Sequence, residues 1–145
     1  MDFFDAFHTS ASGLTAQRLR MNLISSNLAN INTTRTPGGG PYRRKQAVFA
    51  ADPVRKSFKD ILASRQAPAS VGVKVIDISE DHSTPLKKYD PNHPDADEQG
   101  YVAMPNINVM EEMVDLISAT RSYEANITAI KASKSMALKA LEIGR

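Results

Sequence analysis

Apolar side chains recur at heptad spacing in two stretches of this chain, one near each end. Val109, Met113, Leu116, Thr120, Tyr123, Ile127, Ile130, Lys134, Ala137 and Leu141 follow an unbroken 4-3-4-3 spacing, and all but Thr120 and Lys134 are apolar. Such a stripe runs along one side of a helix and needs a second helix to cover it. Phe7, Leu14, Met21 and Leu28 recur at sevens, joined by Ile24 and Ile31. The pattern predicts a mainly α chain with a small β segment. Long N- and C-terminal helices pack as a coiled-coil-like pair around a loop- and β-rich middle region. The apolar seams are also the candidate subunit interface: Phe7, Leu14, Met21, Ile24, Leu28, Ile31, Val109, Met113, Leu116, Tyr123, Ile127, Ile130, Ala137 and Leu141.

The N-terminal helix is expected over residues 2–31. Asp2 and Asp5 sit in its first turn, where carboxylates complement the helix dipole. Ser12, Gly13 and the Asn- and Ser-rich stretch from Ser25 to Asn32 lower its intrinsic propensity, so it needs partners to persist. Asn30, Asn32, Thr33 and Thr34 signal a turn. The C-terminal helix is expected over residues 109–143, about 50 Å long at 1.5 Å per residue. Asn108 is its N-cap, with Glu111 three residues on, in the manner of a capping box. Glu111, Glu112 and Asp115 come early, Lys131, Lys134, Lys139 and Arg145 late, and Gly144 terminates it.

Between the helices, Pro37-Gly38-Gly39-Gly40-Pro41 predicts a flexible or tightly turned loop. It lacks the Gly-Lys-Ser/Thr and the glycine spacing that phosphate-binding loops require. Residues 42–50 suit a strand. Residues 58–64 suit a short helical turn. The alternating, β-branched run from Val71 to Ile78 is the strongest strand signal, bounded by Pro68 and Pro85. From Ser83 to Pro105 four prolines predict loop. Three segments follow from these boundaries: an N-terminal helix over 1–34, a middle region over 35–105 and a C-terminal helix over 106–145.

Chemistry is sparse. The chain has no cysteine, which excludes disulfides, thiolate metal sites and cysteine nucleophiles. Its three histidines, His8, His82 and His93, are scattered. Aligned on a calcium loop, Asp95, Asp97 and Gly100 take positions one, three and six. Asn106 then stands where a bidentate glutamate is required. The acidic loop is therefore expected to use its carboxylates on nearby backbone N–H groups. No catalytic constellation, cofactor site or metal site is expected. A net charge of +2 is too balanced for nucleic-acid binding, and Arg43-Arg44-Lys45 is expected to be a solvated strand or loop. No apolar run is long enough to span a membrane. The opening Met1-Asp2-Phe3-Phe4-Asp5 is acidic where a cleavable secretory signal is basic.

Two stretches carry a family resemblance. The run from Ser12 to Met21, continuing as Ser26-Asn27-Leu28-Ala29-Asn30-Ile31-Asn32-Thr33-Thr34, resembles the N-terminal signature of bacterial flagellar rod and hook axial proteins. The segments Tyr89–Asp97 and Gly100–Val109, with Glu111–Leu116 and Arg121–Asn126, are similar to the proximal-rod branch of that family. The resemblance implies a structural, non-enzymatic subunit of the flagellar basal body. It implies export without a cleavable signal and helical assembly in the periplasm into the shaft that transmits motor torque. The terminal helices form an inner tube and the middle region faces outward. The implied partners are further copies, the other proximal rod proteins, the adaptor between rod and MS ring, and the distal rod. From residue pattern alone, a soluble helical adaptor or export chaperone gripping one partner helix is the alternative.

Overall fold

A computed structural model of the chain describes residues 3–53 and 71–143. Helix α1 spans Phe3–Ala29 and helix α2 spans Val109–Ile143. Between them lie strands β1 (Lys45–Pro53), β2 (Val71–Glu80), β3 (Leu86–Tyr89) and β4 (Tyr101–Met104). The expected short helix over residues 58–64, and the terminator Gly144, fall outside the described residues.

The two helices pack antiparallel. Thr120 meets Met21, Asp115 meets Arg20, Glu112 meets Asn27, and Asn126 meets Gly13. Gly13 permits close approach there: a Cβ on it would lie 3.0 Å from Asn126 Nδ2. The boundaries of α2 match expectation, and Asn108 Oδ1 accepts the Met110 N–H at 3.1 Å, which satisfies one of the open donors of the first turn. Helix α1 ends two residues before the expected Ile31. Asn30 Nδ2 donates to the Ser26 carbonyl at 2.8 Å, and the Thr33 N–H donates to the Asn30 carbonyl at 3.0 Å. The Asn-rich signal therefore closes the helix with a local turn. The Gly-Pro loop is tightly turned: Gly39 and Gly40 have φ of 83° and 75°. The Gly39 N–H donates to the Thr36 carbonyl and the Thr36 N–H to the Gly40 carbonyl, both at 2.9 Å.

Strands β1 and β2 pair antiparallel from Lys45↔Glu80 to Pro53↔Val71, with a bulge between Val48 and Phe49. The first strand starts later than the expected Tyr42. That stretch is taken up by the turn that returns the Tyr42 N–H to the Thr33 carbonyl at 3.0 Å. The pair lies on α1, where Ser12 Oγ accepts the Val73 N–H at 3.1 Å and donates to the Thr9 carbonyl at 2.7 Å. Strands β3 and β4 form a second antiparallel pair, Leu86↔Met104 to Tyr89↔Tyr101, in the segment expected to be loop. Four-residue strands leave too little periodicity to read. Their pairing is held at one end by an edge-on Tyr89–Tyr101 contact, with ring centroids 5.3 Å apart. Among the described residues, the fully sheltered apolar side chains are few and small, with Ala16, Ile24, Val102, Ile107 and Ala119 the principal ones.

Candidate assembly surface and its buried anchor

The fourteen seam residues do not share one environment. Ile24 is buried. Leu14, Met21 and Leu28 on α1 and Leu116, Tyr123, Ile127, Ile130 and Ala137 on α2 are half-buried, as is Ile31 just beyond the end of α1. Phe7, Val109, Met113 and Leu141 are exposed. The deepest line on α2 runs beside the expected seam: Glu112 and Ala119 are fully buried seven residues apart. On the outer side of α2, Met110, Met113, Val114 and Ile117 follow i, i+3, i+4, i+7 spacing and are 69%, 49%, 64% and 56% exposed. That spacing makes one continuous apolar stripe turned away from α1. Met136, Leu138, Leu141 and Ile143 expose a second apolar group at the far end of the same helix.

Beneath the start of α2 lies a polar anchor that the sequence reading missed. Glu112 and Asn27 are almost completely buried. Asn27 Nδ2 donates to Glu112 Oε2 at 3.1 Å and to the Lys45 carbonyl at 3.0 Å, while Asn27 Oδ1 accepts the Lys45 N–H at 3.0 Å and the Tyr42 hydroxyl at 3.1 Å. Arg44 Nε donates to Glu112 Oε1 at 2.5 Å, and Arg44 Nη2 lies 3.7 Å from Asp115 Oδ2. Arg20 Nη2 completes the set at 3.1 Å from Asp115 Oδ1. A buried charge must be paired and hydrogen-bonded, and here both oxygens of Glu112 are served. The anchor ties α1, the start of β1 and the start of α2 to one point.

This arrangement revises the reading of Arg43-Arg44-Lys45 as a solvated run. Arg44 serves the buried carboxylate, Lys45 Nζ pairs with Glu80 at 3.3 Å, and the Arg43 guanidinium contacts the His82 ring. The missed signal was an Asn in α1 and a Glu in the first turn of α2. Each has an adequate local explanation, as a poor helix former and as a dipole-complementing acid.

A cavity of about 280 Å³ adjoins the anchor, lined by Arg20, Leu23, Ile24, Asn27, Arg44, Lys45, Gln46, Ala47, Phe49, Glu112 and Asp115. Arg20 and Arg44 pair with its two carboxylates, Lys45 pairs outside it with Glu80, and its lining has no histidine, serine or threonine to act as a base or nucleophile. In the acidic loop Asp97 spends its carboxylate on backbone N–H groups as expected, whereas Asp95 takes a side-chain hydroxyl from outside the loop. Asp97 Oδ1 accepts the Gln99 and Tyr101 N–H groups at 3.0 and 2.8 Å, and Asp95 Oδ2 accepts the Thr34 hydroxyl at 2.7 Å. His93 Nδ1 accepts the Asp95 N–H at 3.1 Å within the same loop. Among the described residues, no three His, Asp or Glu side chains converge to hold a metal, and no helix is long and apolar enough to cross a membrane.

Comparison with known proteins draws on both ends of the chain. Residues 7–35 match the family described as flagella basal body rod protein, and residues 98–143 match flagellar basal body rod FlgEFG protein C-terminal. The flagellar basal-body rod protein FlgC of Borreliella burgdorferi is 49% identical over 99% of this chain and 98% of its own length. FlgC of Bacillus subtilis is also 49% identical, with both chains covered completely, and FlgC of Aquifex aeolicus is 44% identical over 92% of this chain and 91% of its own. Full-length identity at this level, on top of two long terminal helices and a small β middle region, means that this chain belongs to the FlgC family of flagellar basal-body rod proteins, structural rod subunits and not enzymes.

Proposed function

We propose that this chain is a proximal-rod subunit. It leaves the cytoplasm through the flagellar export apparatus and assembles helically in the periplasm into the shaft that transmits torque. The terminal segments 1–34 and 106–145 line the inner tube, and 35–105 faces outward. Its neighbours are further copies, the other proximal rod proteins, the adaptor between rod and MS ring, and the distal rod.

The observation that carries this reading is the apolar stripe Met110–Met113–Val114–Ile117, left exposed on the longest helix. Contiguous apolar surface of this kind marks a protein–protein contact. The seam then divides its labour. Its half-buried members hold α1 to α2 within a subunit, while Val109, Met113 and Leu141 join the outer stripe in meeting neighbours.

Val114→Asp tests the reading. The side chain is 64% exposed, so the substitution leaves the purified monomer's circular dichroism unchanged. A charge at a buried intersubunit contact costs several kcal/mol, so rods should be missing from isolated basal bodies and cells should not swim. Normal motility with this variant would overturn the proposal.

A further inference from the structure

The heptad seam does not choose its own alignment. Leu14, Met21 and Leu28 recur at sevens on α1, and Leu116, Tyr123, Ile130 and Ala137 recur at sevens on α2. Sliding one helix by a heptad, about 10.5 Å at 1.5 Å per residue, lays each set back onto itself. The flanking apolar contact is therefore nearly indifferent to register.

A second line across the helix contact is not indifferent. Gly13, Arg20 and Asn27 stand at sevens on α1, and Glu112, Ala119 and Asn126 stand at sevens on α2. Their contacts are unlike one another. Asn27 meets Glu112 through a buried hydrogen bond, and Gly13 meets Asn126 so closely that a Cβ would lie 3.0 Å from its Nδ2. Asn27 is held to the β1 backbone at Lys45, and Arg44 stands beside it, so α1 and β1 together form a fixed receptor for the Glu112 carboxylate. A slip in one direction carries Glu112 past the end of α1. A slip in the other takes it from Asn27 and Arg44 to Arg20, at the cost of the Arg20–Asp115 pair, and sets Asn126 opposite Ala6 in place of Gly13, as the first slip sets it opposite Arg20.

We infer that the Asn27–Glu112–Arg44 anchor and the Gly13–Asn126 fit act as a register lock, selecting one alignment of the terminal helices from several that the apolar seam accepts. Buried polar groups are best attested in this role where apolar heptads leave alignment open. The lock presets the subunit for its neighbours, because a one-heptad slip would move Leu138 and Leu141 about 10.5 Å along α1. It is a property of the single subunit, so its test stands or falls separately from the rod reading.

The absence of cysteine makes thiol reporters clean. Met21→Cys with Thr120→Cys reports the native register, since Thr120 Oγ1 lies 3.6 Å from Met21 Sδ. Leu14→Cys or Leu28→Cys with Thr120→Cys reports a slip of one heptad in either direction. Each pair is placed in the otherwise unaltered chain and in a variant carrying Arg44→Leu, Glu112→Leu and Asn126→Ala. That variant removes the charge pair together and leaves Asn27 bonded to the β1 backbone. Purified monomer is treated with a thiol-to-thiol crosslinker shorter than one heptad rise, and intramolecular products are mapped by mass spectrometry.

The unaltered chain should give the native crosslink alone. In the variant, slipped products should rise at least about tenfold relative to native, a ratio that corresponds to about 1.4 kcal/mol, while far-ultraviolet circular dichroism shows the helices retained. Three results would overturn the lock. A folded variant with only the native crosslink would mean that the seam sets register unaided. A variant that loses its helices would mean that these residues hold the pair together without selecting its alignment. Slipped products from the unaltered chain would mean that no lock exists.

Discussion

Glu112→Ala should cost more than any substitution on the apolar stripe, although its exposed neighbours outnumber it. The carboxylate accepts from Arg44 Nε at 2.5 Å and from Asn27 Nδ2 at 3.1 Å with no exposure to water. Hydrogen bonds to a charged group contribute about 1.5–3 kcal/mol each, and removing one partner of a buried pair costs about 3–5 kcal/mol. Two compensations place this case at the low end. Asn27 keeps the Lys45 carbonyl, and Arg44 keeps Asp115 at 3.7 Å with about a fifth of its side chain in water. The expected loss is about 3 kcal/mol, a large share of the 5–15 kcal/mol that holds a typical domain together. With a urea slope of about 1.5–2 kcal/mol per molar, the midpoint of dilute monomer followed by circular dichroism should fall by about 1.5–2 M. The shift should survive 1 M salt, because a buried pair is poorly screened. Replacing both partners, Arg44→Leu with Glu112→Leu, should recover most of the loss. A loss below about 1 kcal/mol, or one that disappears in salt, would place the pair with ordinary surface bridges and refute the anchor.

Two further outcomes test local features. Asn108→Ala removes the acceptor for the Met110 N–H and should lower stability by about 1 kcal/mol, read as a fall in the urea midpoint; no change would mean that water caps the helix equally well. Asp81 accepts the Ser83 N–H at 2.8 Å, and the backbone and hydroxyl hydrogen bonds from Ser83 hold its carboxyl below the ordinary 3.8, with Arg44 adding a smaller pull in the same direction. A depressed folded-state value means that its stabilisation is complete above 3.8 and is lost as pH falls through the lower folded value. Carbon-13 NMR of the carboxyl should give a midpoint below 3.8, and a midpoint at or above it would refute the Ser83 contact in solution.

What the sequence revealed and what it concealed divide along the range of the interactions. The bounds of α2 were legible because a capped, 4-3-4-3 stripe is written in consecutive residues, and β2 was legible because its alternation persists through Ile78. Strands β3 and β4 were not, because four residues under proline-rich flanks carry no measurable period, and their pairing depends on Tyr89 meeting Tyr101 across eleven intervening positions. The anchor was hidden for a stronger reason. Asn27 reads as a weak helix former, Glu112 as a first-turn acid and Arg44 as one of three exposed cations. Each description is locally sufficient, so nothing in the sequence prompts a search for a partner. Only the antiparallel alignment brings them together, and that alignment is the property the apolar heptads leave open. The residues least conspicuous in the pattern therefore carry the information the pattern lacks. Terminal helices that seek partners on every side need a specific, non-repeating contact to present one surface instead of several, and Glu112 beneath the outer stripe is placed to supply it.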